Sequence, residues 1–240
     1  MAQIRSQIHK KLKLYILVPA YNEERVLRKV LNGLKLQKLQ NTKKEIIVIN
    51  DGSADKTEEV AKKCKVTVLS HPINRGLGGA LGTGLEYARV KNADIVITFD
   101  ADGQHDPKDL KRLIEPILNN KADFVIGSRL LKNSKMPIDR KLINLVANII
   151  NYFLWSIWIT DSQSGLRALS KNALKKIEIK MNKMEVASEF FKEIKKNCLR
   201  VKEIPIKAIY TNYSKAKGQK NTNALNILVK LLLYRFAGQK

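Results

Sequence analysis

Asp100 and Asp102 stand one residue apart, directly after Asp94–Phe99, a run of six dominated by β-branched and apolar residues. Such a run predicts a buried strand, and open α/β sheets bind their ligands at the C-terminal ends of strands. Two carboxylates this close repel each other and lose solvation when enclosed, so a compensating cation is expected. A hard divalent ion shared between carboxylate oxygens and substrate phosphates meets that need. Taken alone, the pair also reads as a solvated Asp-rich turn, with Gly103 and Pro107 in the stretch from Asp100 to Asp106.

Other apolar runs also end in polar groups. The first passes into Pro19-Ala-Tyr-Asn-Glu23, where Pro19 ends the strand and Asn22 can cap the next helix. Tyr21 and Glu23 could hold a nucleoside base and its ribose there, or form an ordinary βα turn. The second ends in Asn50-Asp51-Gly52-Ser53. Asp51 could accept from a base N–H, and Asn50 could do the same or simply complete the turn. A later run, Phe124-Val-Ile-Gly-Ser-Arg129, finishes on an arginine whose planar fork suits a phosphate. The glycine-rich stretch Arg75–Gly84 fits neither the dinucleotide nor the Walker phosphate pattern, so helix entry and close packing explain it better. Cys64 and Cys198 lack metal or redox spacing and are expected to be buried thiols; His9, His71 and His105 are equally scattered.

The elements that must carry these groups alternate. Leu14–Val18, Glu45–Asn50, Val66–Leu69, Asp94–Phe99 and Asp123–Ile126 have strand length. Between them lie helical stretches, Glu23–Leu36, Asp55–Lys63, Gly79–Lys91 and Pro107–Asn119, with Asp55 as a cap and Pro107 in a first turn. This order predicts an α/β fold with a doubly wound, mainly parallel sheet. Leu130–Ile138 is expected to be a surface loop. Lys141–Thr160 is the most apolar stretch, but Asn144, Asn148 and Asn151 recur at helical spacing, which argues against a membrane span. An amphipathic helix is expected, with most of its apolar face packed on the core, or else lying in a membrane interface.

The formal charge of +23 is large, and roughly half of the excess follows Lys171. Such a surface attracts polyanions: nucleic acid, anionic lipid or phosphorylated substrates. Aromatic residues make up only 6% and do not alternate with basic ones, which weighs against a single-stranded nucleic-acid groove. No helix-turn-helix, RRM or KH pattern occurs, and nucleic acid is not expected as a partner. The N-terminus lacks an apolar signal region, so a cytoplasmic protein, peripheral on the cytosolic face of a membrane, is expected. The basic Asn223–Phe236 segment, with Leu225, Leu228, Leu232 and Phe236 on one side, suits docking on an anionic bilayer or on the protein's own core.

Pro19–Glu23, Asp51-Gly-Ser53, Asp100-Ala-Asp-Gly-Gln104, Gly127-Ser-Arg129, Asp161-Ser-Gln-Ser-Gly165 and Glu203-Ile-Pro205 occur in an order and spacing that resemble family 2 glycosyltransferases. The resemblance is to the dolichol-phosphate mannose synthase and polyprenol-phosphate glycosyltransferase branch, over Leu14 to Lys217. It implies a GT-A fold with a small antiparallel addition and C-terminal amphipathic helices. It also implies a nucleotide-sugar donor, Mg²⁺ or Mn²⁺, and a polyprenyl or dolichyl phosphate acceptor at the cytosolic membrane face. By position, Pro19, Tyr21, Glu23, Ile49 and Asp51 would contact the nucleoside. Asp100, Ala101, Asp102 and Gln104 would face the donor diphosphate, with Asp100, Asp102 and Gln104 on the metal. Arg129 and Arg140 match phosphate-binding arginines, and Asp161 and Arg167 match a D-x-x-S-G-x-R pattern. Asn50 stands where Asp is frequent, Asn144 where Ser often meets the acceptor phosphate, Leu166 where an aromatic is common, and Thr211 where Arg is usual; Lys217 aligns with a later Lys. Residues 1–220 would form one catalytic domain, 14–129 serving the nucleotide sugar and 130–220 the acceptor, with 221–240 a basic tail. A membrane-anchoring subunit is a possible partner.

An anionic acceptor phosphate requires no strong base, so positioning by Arg129 and Arg140 and charge neutralisation by the metal would carry the transfer, from a donor of GDP-mannose or UDP-glucose type. A sugar-hydroxyl acceptor would instead require a base such as Asp161 or Asp106. A non-catalytic nucleic-acid-binding module is the third reading.

Overall fold

The computed structural model describes residues 11–131 and 136–210. The expectations for Thr211, Lys217 and the 221–240 tail lie outside the described residues. The chain builds β1 (Leu12–Ala20), α1 (Leu27–Leu36), β2 (Thr42–Asp51), α2 (Thr57–Lys63), β3 (Thr67–His71), α3 (Leu77–Val90) and β4 (Ile95–Thr98). A 3₁₀ turn (Pro107–Asp109), α4 (Leu110–Leu118) and β5 (Phe124–Ser128) follow. The second half adds α5 (Ile138–Trp155), β6 (Arg167–Ser170), α6 (Lys171–Lys176), α7 (Val186–Lys196) and β7 (Val201–Pro205).

The seven strands among the described residues join one sheet in the order β3-β2-β1-β4-β6-β5-β7. β3, β2, β1 and β4 are parallel, β5 and β7 are parallel to each other, and β6 runs antiparallel between β4 and β5. The antiparallel addition is thus one strand inserted within the sheet, and the second half of the chain completes the sheet begun by the first. From β1 the chain steps outward to β2 and β3, then crosses back to place β4 on the other side of β1. That reversal makes a crevice between β1 and β4 at their C-terminal ends, the usual ligand position in such sheets.

Both faces of the sheet are covered, as near-continuous apolar strands require. Leu14, Ile16 and Val18 pack with Leu27, Leu31 and Leu34 of α1 and Leu110 and Leu113 of α4. Leu17, Ile47 and Ile49 face the other side, against Leu81 and Leu85 of α3 and Phe190 and Phe191 of α7. The glycines of α3 serve close packing: a Cβ on Gly78 would fall 1.9 Å from the Met181 carbonyl oxygen.

Several local expectations are corrected. α1 begins at Leu27, because Asn22 takes a left-handed φ of 53° and its side chain accepts from Ala54 N–H (2.9 Å) instead of capping the helix. Asn22 N–H in turn donates to Ser53 Oγ at 3.0 Å, so the turn after β1 is stitched to the turn after β2. Cys198 is exposed; only Cys64 is buried. The largest correction concerns α5, whose asparagine stripe, not its apolar stripe, faces the protein. Asn144, Asn148 and Asn151 are buried, whereas Leu142, Leu145, Val146, Ile149, Tyr152 and Phe153 are exposed. The amides win the inward face because they have buried partners there. Asn148 donates to Thr160 O (2.7 Å) and accepts from Ser162 N–H (3.1 Å), and Asn151 accepts from Ser188 Oγ (2.6 Å). Among the described residues no helix is long and apolar enough to cross a membrane.

Candidate active site

Asp100 and Asp102 emerge from β4 at the switch point. The Asp100 carboxylate rests against the backbone of Gly165, where a Cβ would come within 2.0 Å of Oδ2. Residue 165 must therefore lack a side chain if Asp100 is to hold this rotamer. His105 Nε2 lies 3.1 Å from Asp100 Oδ2. Burial raises the Asp100 pKa, but the hydrogen bond from His105 and the charges of Arg167 and Arg129 outweigh it, and the group lies below its ordinary value. Asp102 shifts the other way: burial and the neighbouring charge of Asp100 push its pKa up. Gln104 opposes this by donating its backbone N–H (2.9 Å) and side-chain amide (2.5 Å) to the Asp102 carboxylate. Gln104 thus holds Asp102 with its amide nitrogen.

A carboxylate pair of which one member resists ionisation is an incomplete site, and a divalent cation is the group that would relieve it. The residues present fit such an ion, because two hard oxygen donors project at the mouth of the crevice. No cluster of three His, Cys, Asp or Glu side chains suited to a metal exists among the described residues, so the remaining positions would fall to water or substrate oxygens.

Across the crevice, Arg129 and Asp161 form a bidentate pair, Nε to Oδ2 and Nη2 to Oδ1, both 2.7 Å. Asp161 also accepts from Arg129 N–H (2.9 Å) and Asn144 Nδ2 (2.7 Å) and is fully buried. Burial raises its pKa, but these donors more than reverse the effect, leaving an aspartate held ionised and saturated. It is arranged to orient Arg129, not to take a proton. Asn144 likewise spends its amide on Asp161. The loop carrying Asp161 is anchored by Glu203, which accepts from Thr160 N–H (3.0 Å), Thr160 Oγ1 (2.8 Å) and Asp161 N–H (3.3 Å). Thr160 Oγ1 also meets Ser128 Oγ at 2.7 Å. Four sequence motifs that look separate, those containing Ser128–Arg129, Asn144, Asp161 and Glu203, are therefore one hydrogen-bonded network.

Arg167 is buried behind both carboxylate centres, with Nη2 donating to Ser162 O (3.2 Å) and its guanidinium 4.7 Å from the Phe190 ring centre. Burial lowers its pKa to about 10, while Asp100 and Asp161 oppose the shift. Arg140 stands in the first turn of α5, and its charge acts on Tyr210 together with that of Arg129. Burial raises the Tyr210 pKa, and its hydroxyl is sealed from solvent without a partner among the described residues.

The ends of β1 and β2, where the sequence leads one to expect a nucleoside, are more pre-organised than their residue types suggest. Asp51 accepts from Arg75 N–H (2.9 Å), Gly76 N–H (2.8 Å) and lies 2.7 Å from His71 Nδ1. Most of its acceptor capacity is thus spent fixing the glycine-rich turn that starts α3. Asn50 completes its own turn, accepting from Ser53 N–H at 3.3 Å and donating to Glu58 at 3.1 Å. Tyr21 is 45% exposed at the crevice rim, Glu23 and Ala101 are buried, and Pro19 lies within β1, in register with Ile49, the strand running on to Ala20. Ile49 itself is fully buried in the core beside Gly84, so its side chain does not face the crevice. His105, Tyr210 and Glu203 were not singled out as site residues from sequence. The position of His105 within the same short stretch as Asp100 and Asp102 is its signal in the sequence; its pairing with residue 208 is tertiary.

Residues 15–178 match the family model for glycosyl transferase family 2. The UDP-N-acetylglucosamine–dolichyl-phosphate N-acetylglucosaminyltransferase of Methanococcus voltae is 40% identical over 245 residues, covering 92% of this chain and 96% of that protein. The dolichol-phosphate mannosyltransferase of Pyrococcus furiosus is 32% identical, covering 81% of this chain and 56% of its own length. Glucosyl-3-phosphoglycerate synthase of Mycobacterium tuberculosis, solved with Mg²⁺ and UDP, superposes with a TM-score of 0.67 over 92% of this chain and 78% of its own, at 19% identity, which shows the shared GT-A fold. With a matched family model across most of its length and relatives of this similarity, the chain belongs to glycosyl transferase family 2 and is a glycosyltransferase.

Proposed function

We propose that this enzyme moves a hexose or N-acetylhexosamine from a nucleoside diphosphate sugar to the phosphate of a polyprenyl or dolichyl lipid, with inversion. The observation that carries this reading is the meeting, at one strand-end crevice, of the Asp100–Asp102 pair with the Arg129–Asp161 network and Arg140. UDP-N-acetylglucosamine is the first donor to test, given the 40% identity to a relative named for that sugar nucleotide.

Asp100 and Asp102 would hold Mg²⁺ or Mn²⁺. When bound, the ion would neutralise charge on the departing diphosphate. The chain's own residues would do the rest. Tyr21 at the rim and the turn fixed by Asp51 would receive the nucleoside. Arg129 has Nη1 left over from its pair with Asp161, and Nη1 and Arg140, whose charges both act on Tyr210, would meet an incoming phosphate. A phosphate monoester attacks as an anion, so no general base is needed, and alignment supplies the acceleration. The saturated state of Asp161 removes one of the two candidate bases for a sugar-hydroxyl acceptor, and the other, Asp106, accepts from Lys108 N–H (3.0 Å) at the start of the 3₁₀ turn.

The exposed apolar face of α5 supports docking on a lipid surface. It begins beside Arg140 and continues past the helix to Trp158, and the acceptor would arrive from a membrane. The decisive assay pairs UDP- and GDP-sugars with short polyprenyl phosphates in Mg²⁺ or Mn²⁺. Transfer to the lipid phosphate is expected, and its loss in Asp102→Ala with an unchanged melting profile would tie it to the carboxylate pair. Transfer to sugar hydroxyls alone would overturn the acceptor assignment.

A further inference from the structure

The reaction assigned to this site makes no use of His105, yet it is the most enclosed titratable side chain beside the carboxylate pair. Its side chain is 1% exposed, whereas that of Asp100, which it touches, is 33% exposed. The imidazole is gripped from three sides. Its ring stands edge-on to Phe99 at 5.6 Å between centroids. Its backbone pairs with Ala208 in an isolated antiparallel bridge, and the adjacent Gln104 carbonyl accepts from Ile209 N–H at 2.9 Å. Its Nε2 lies 3.1 Å from Asp100 Oδ2.

The tautomer follows from what surrounds the ring. Nδ1 is buried and has no partner among the described residues, so a proton there would be a buried donor with nothing to accept it. An ionised carboxylate is an acceptor only. The proton therefore belongs on Nε2, donated to Asp100 Oδ2. Gly165 backbone closes one side of the same carboxylate, so His105 and Gly165 hold Asp100 between them. The exposed part of the group is then turned to the crevice.

We propose that His105 is a positioning residue that holds Asp100 in the orientation needed to bind the divalent ion. It reaches Asp100 through a hydrogen bond and takes its own place from the 206–210 segment that follows β7. That segment also carries Tyr210, so one strap of chain sets the metal-facing carboxylate and contributes to the acceptor side. The inference rests on the metal reading given above and extends it to a residue outside the ligand set.

Two amides separate donor placement from polarity and packing. Glutamine at 105 sets its nitrogen where Nε2 stands, whereas asparagine sets it where Nδ1 stands. Affinity for Mn²⁺ alone, read from the electron paramagnetic resonance signal of the free ion, is the primary measurement, with melting temperature recorded in the absence of metal. Outer partners of metal ligands typically contribute ~10–100-fold in affinity. His105→Asn is expected to weaken Mn²⁺ binding about tenfold or more, and His105→Gln to stay within about threefold of the parent protein. His105→Phe, which keeps the ring packing on Phe99, should behave like His105→Asn. Equal affinities for the Gln and Asn variants would overturn the positioning role, as would parent-like binding by the Phe variant. Failure of the parent protein to bind Mn²⁺ would overturn the metal reading together with this one. Parent binding lost in Asp102→Ala but unchanged in every His105 variant would overturn this one alone.

Discussion

At the scale of single residues, the site is defined by which polar groups are already spent. Asp161 receives donors on both oxygens and orients Arg129, while Asp102 remains a carboxylate disfavoured by enclosure and by its neighbour. Gly165 matters for a steric reason, because any side chain there collides with Asp100. Gly165→Ala is expected to displace that carboxylate and lower kcat about 100-fold, the cost of a misplacement near 1 Å, checked by steady-state kinetics beside a circular dichroism spectrum. Asp161→Asn leaves the buried Arg129 charge uncompensated, and breaking such a pair costs roughly 3–5 kcal/mol. Urea denaturation measures that loss. The double replacement Asp161→Leu with Arg129→Met should recover part of the stability and none of the transfer, which separates the structural contribution of the pair from the function of Arg129.

At the scale of elements, strand ends and loops are joined by carboxylates that accept backbone N–H groups. Asp123, just before β5, accepts from Arg200 N–H (3.1 Å) and Nε (2.9 Å), tying the entry of β7 to that of β5. The hydrogen bonds from Arg200 outweigh burial and hold its pKa down to about 2. An unfolded aspartate titrates near ~3.9, so as pH falls the unfolded chain takes up the proton first. The stability from this pair is therefore complete above about pH 5 and is lost as pH falls toward 2. Melting temperatures of the parent protein and Asp123→Asn should differ most near neutrality and converge below pH 3. A constant difference across that range would assign the effect to packing instead.

The first-half elements were legible in the sequence because β-branched runs of strand length alternate with helical stretches between residues 14 and 129. β6, α6, α7 and β7 were not. β6 spans four residues, Arg167 to Ser170, and contains a buried arginine that exists only because Phe190, Ser162 and two aspartates surround it. Nothing local marks such a strand. α5 is legible as an amphipathic helix, but of the two orientations open to it the packing of its apolar face on the core is the one overturned. Hydrophobicity assigns the apolar face inward, whereas partners at residues 160–162 and 188 draw the amides in.

At the scale of the whole molecule, a charge of +23 and the outward apolar face of α5 would act on an anionic membrane, the partner proposed above, by different physics. Attraction to anionic lipid is screened within about 10 Å at 0.1 M salt, while burial of apolar surface is not. Cosedimentation with phosphatidylserine-containing vesicles is thus expected to fall with salt but to level off above zero. Leu145→Glu with Phe153→Glu should remove the salt-resistant part without lowering the melting temperature, since both side chains already face solvent. Salt-resistant binding that survives these changes would exclude α5 as the contact.

By itself, the sequence determined the alternating α/β order, the family and the carboxylate pair at a strand end. Each is written in residues close together in the chain, where periodicity and motif spacing act. Tertiary structure decided what those residues do to one another. It set His105 against Ala208, Glu203 beneath Thr160 and Asp161, and the asparagines of α5 inward. Hydrogen-bond partners of buried polar groups come from segments far apart in the chain, and only the folded sheet brings them within reach.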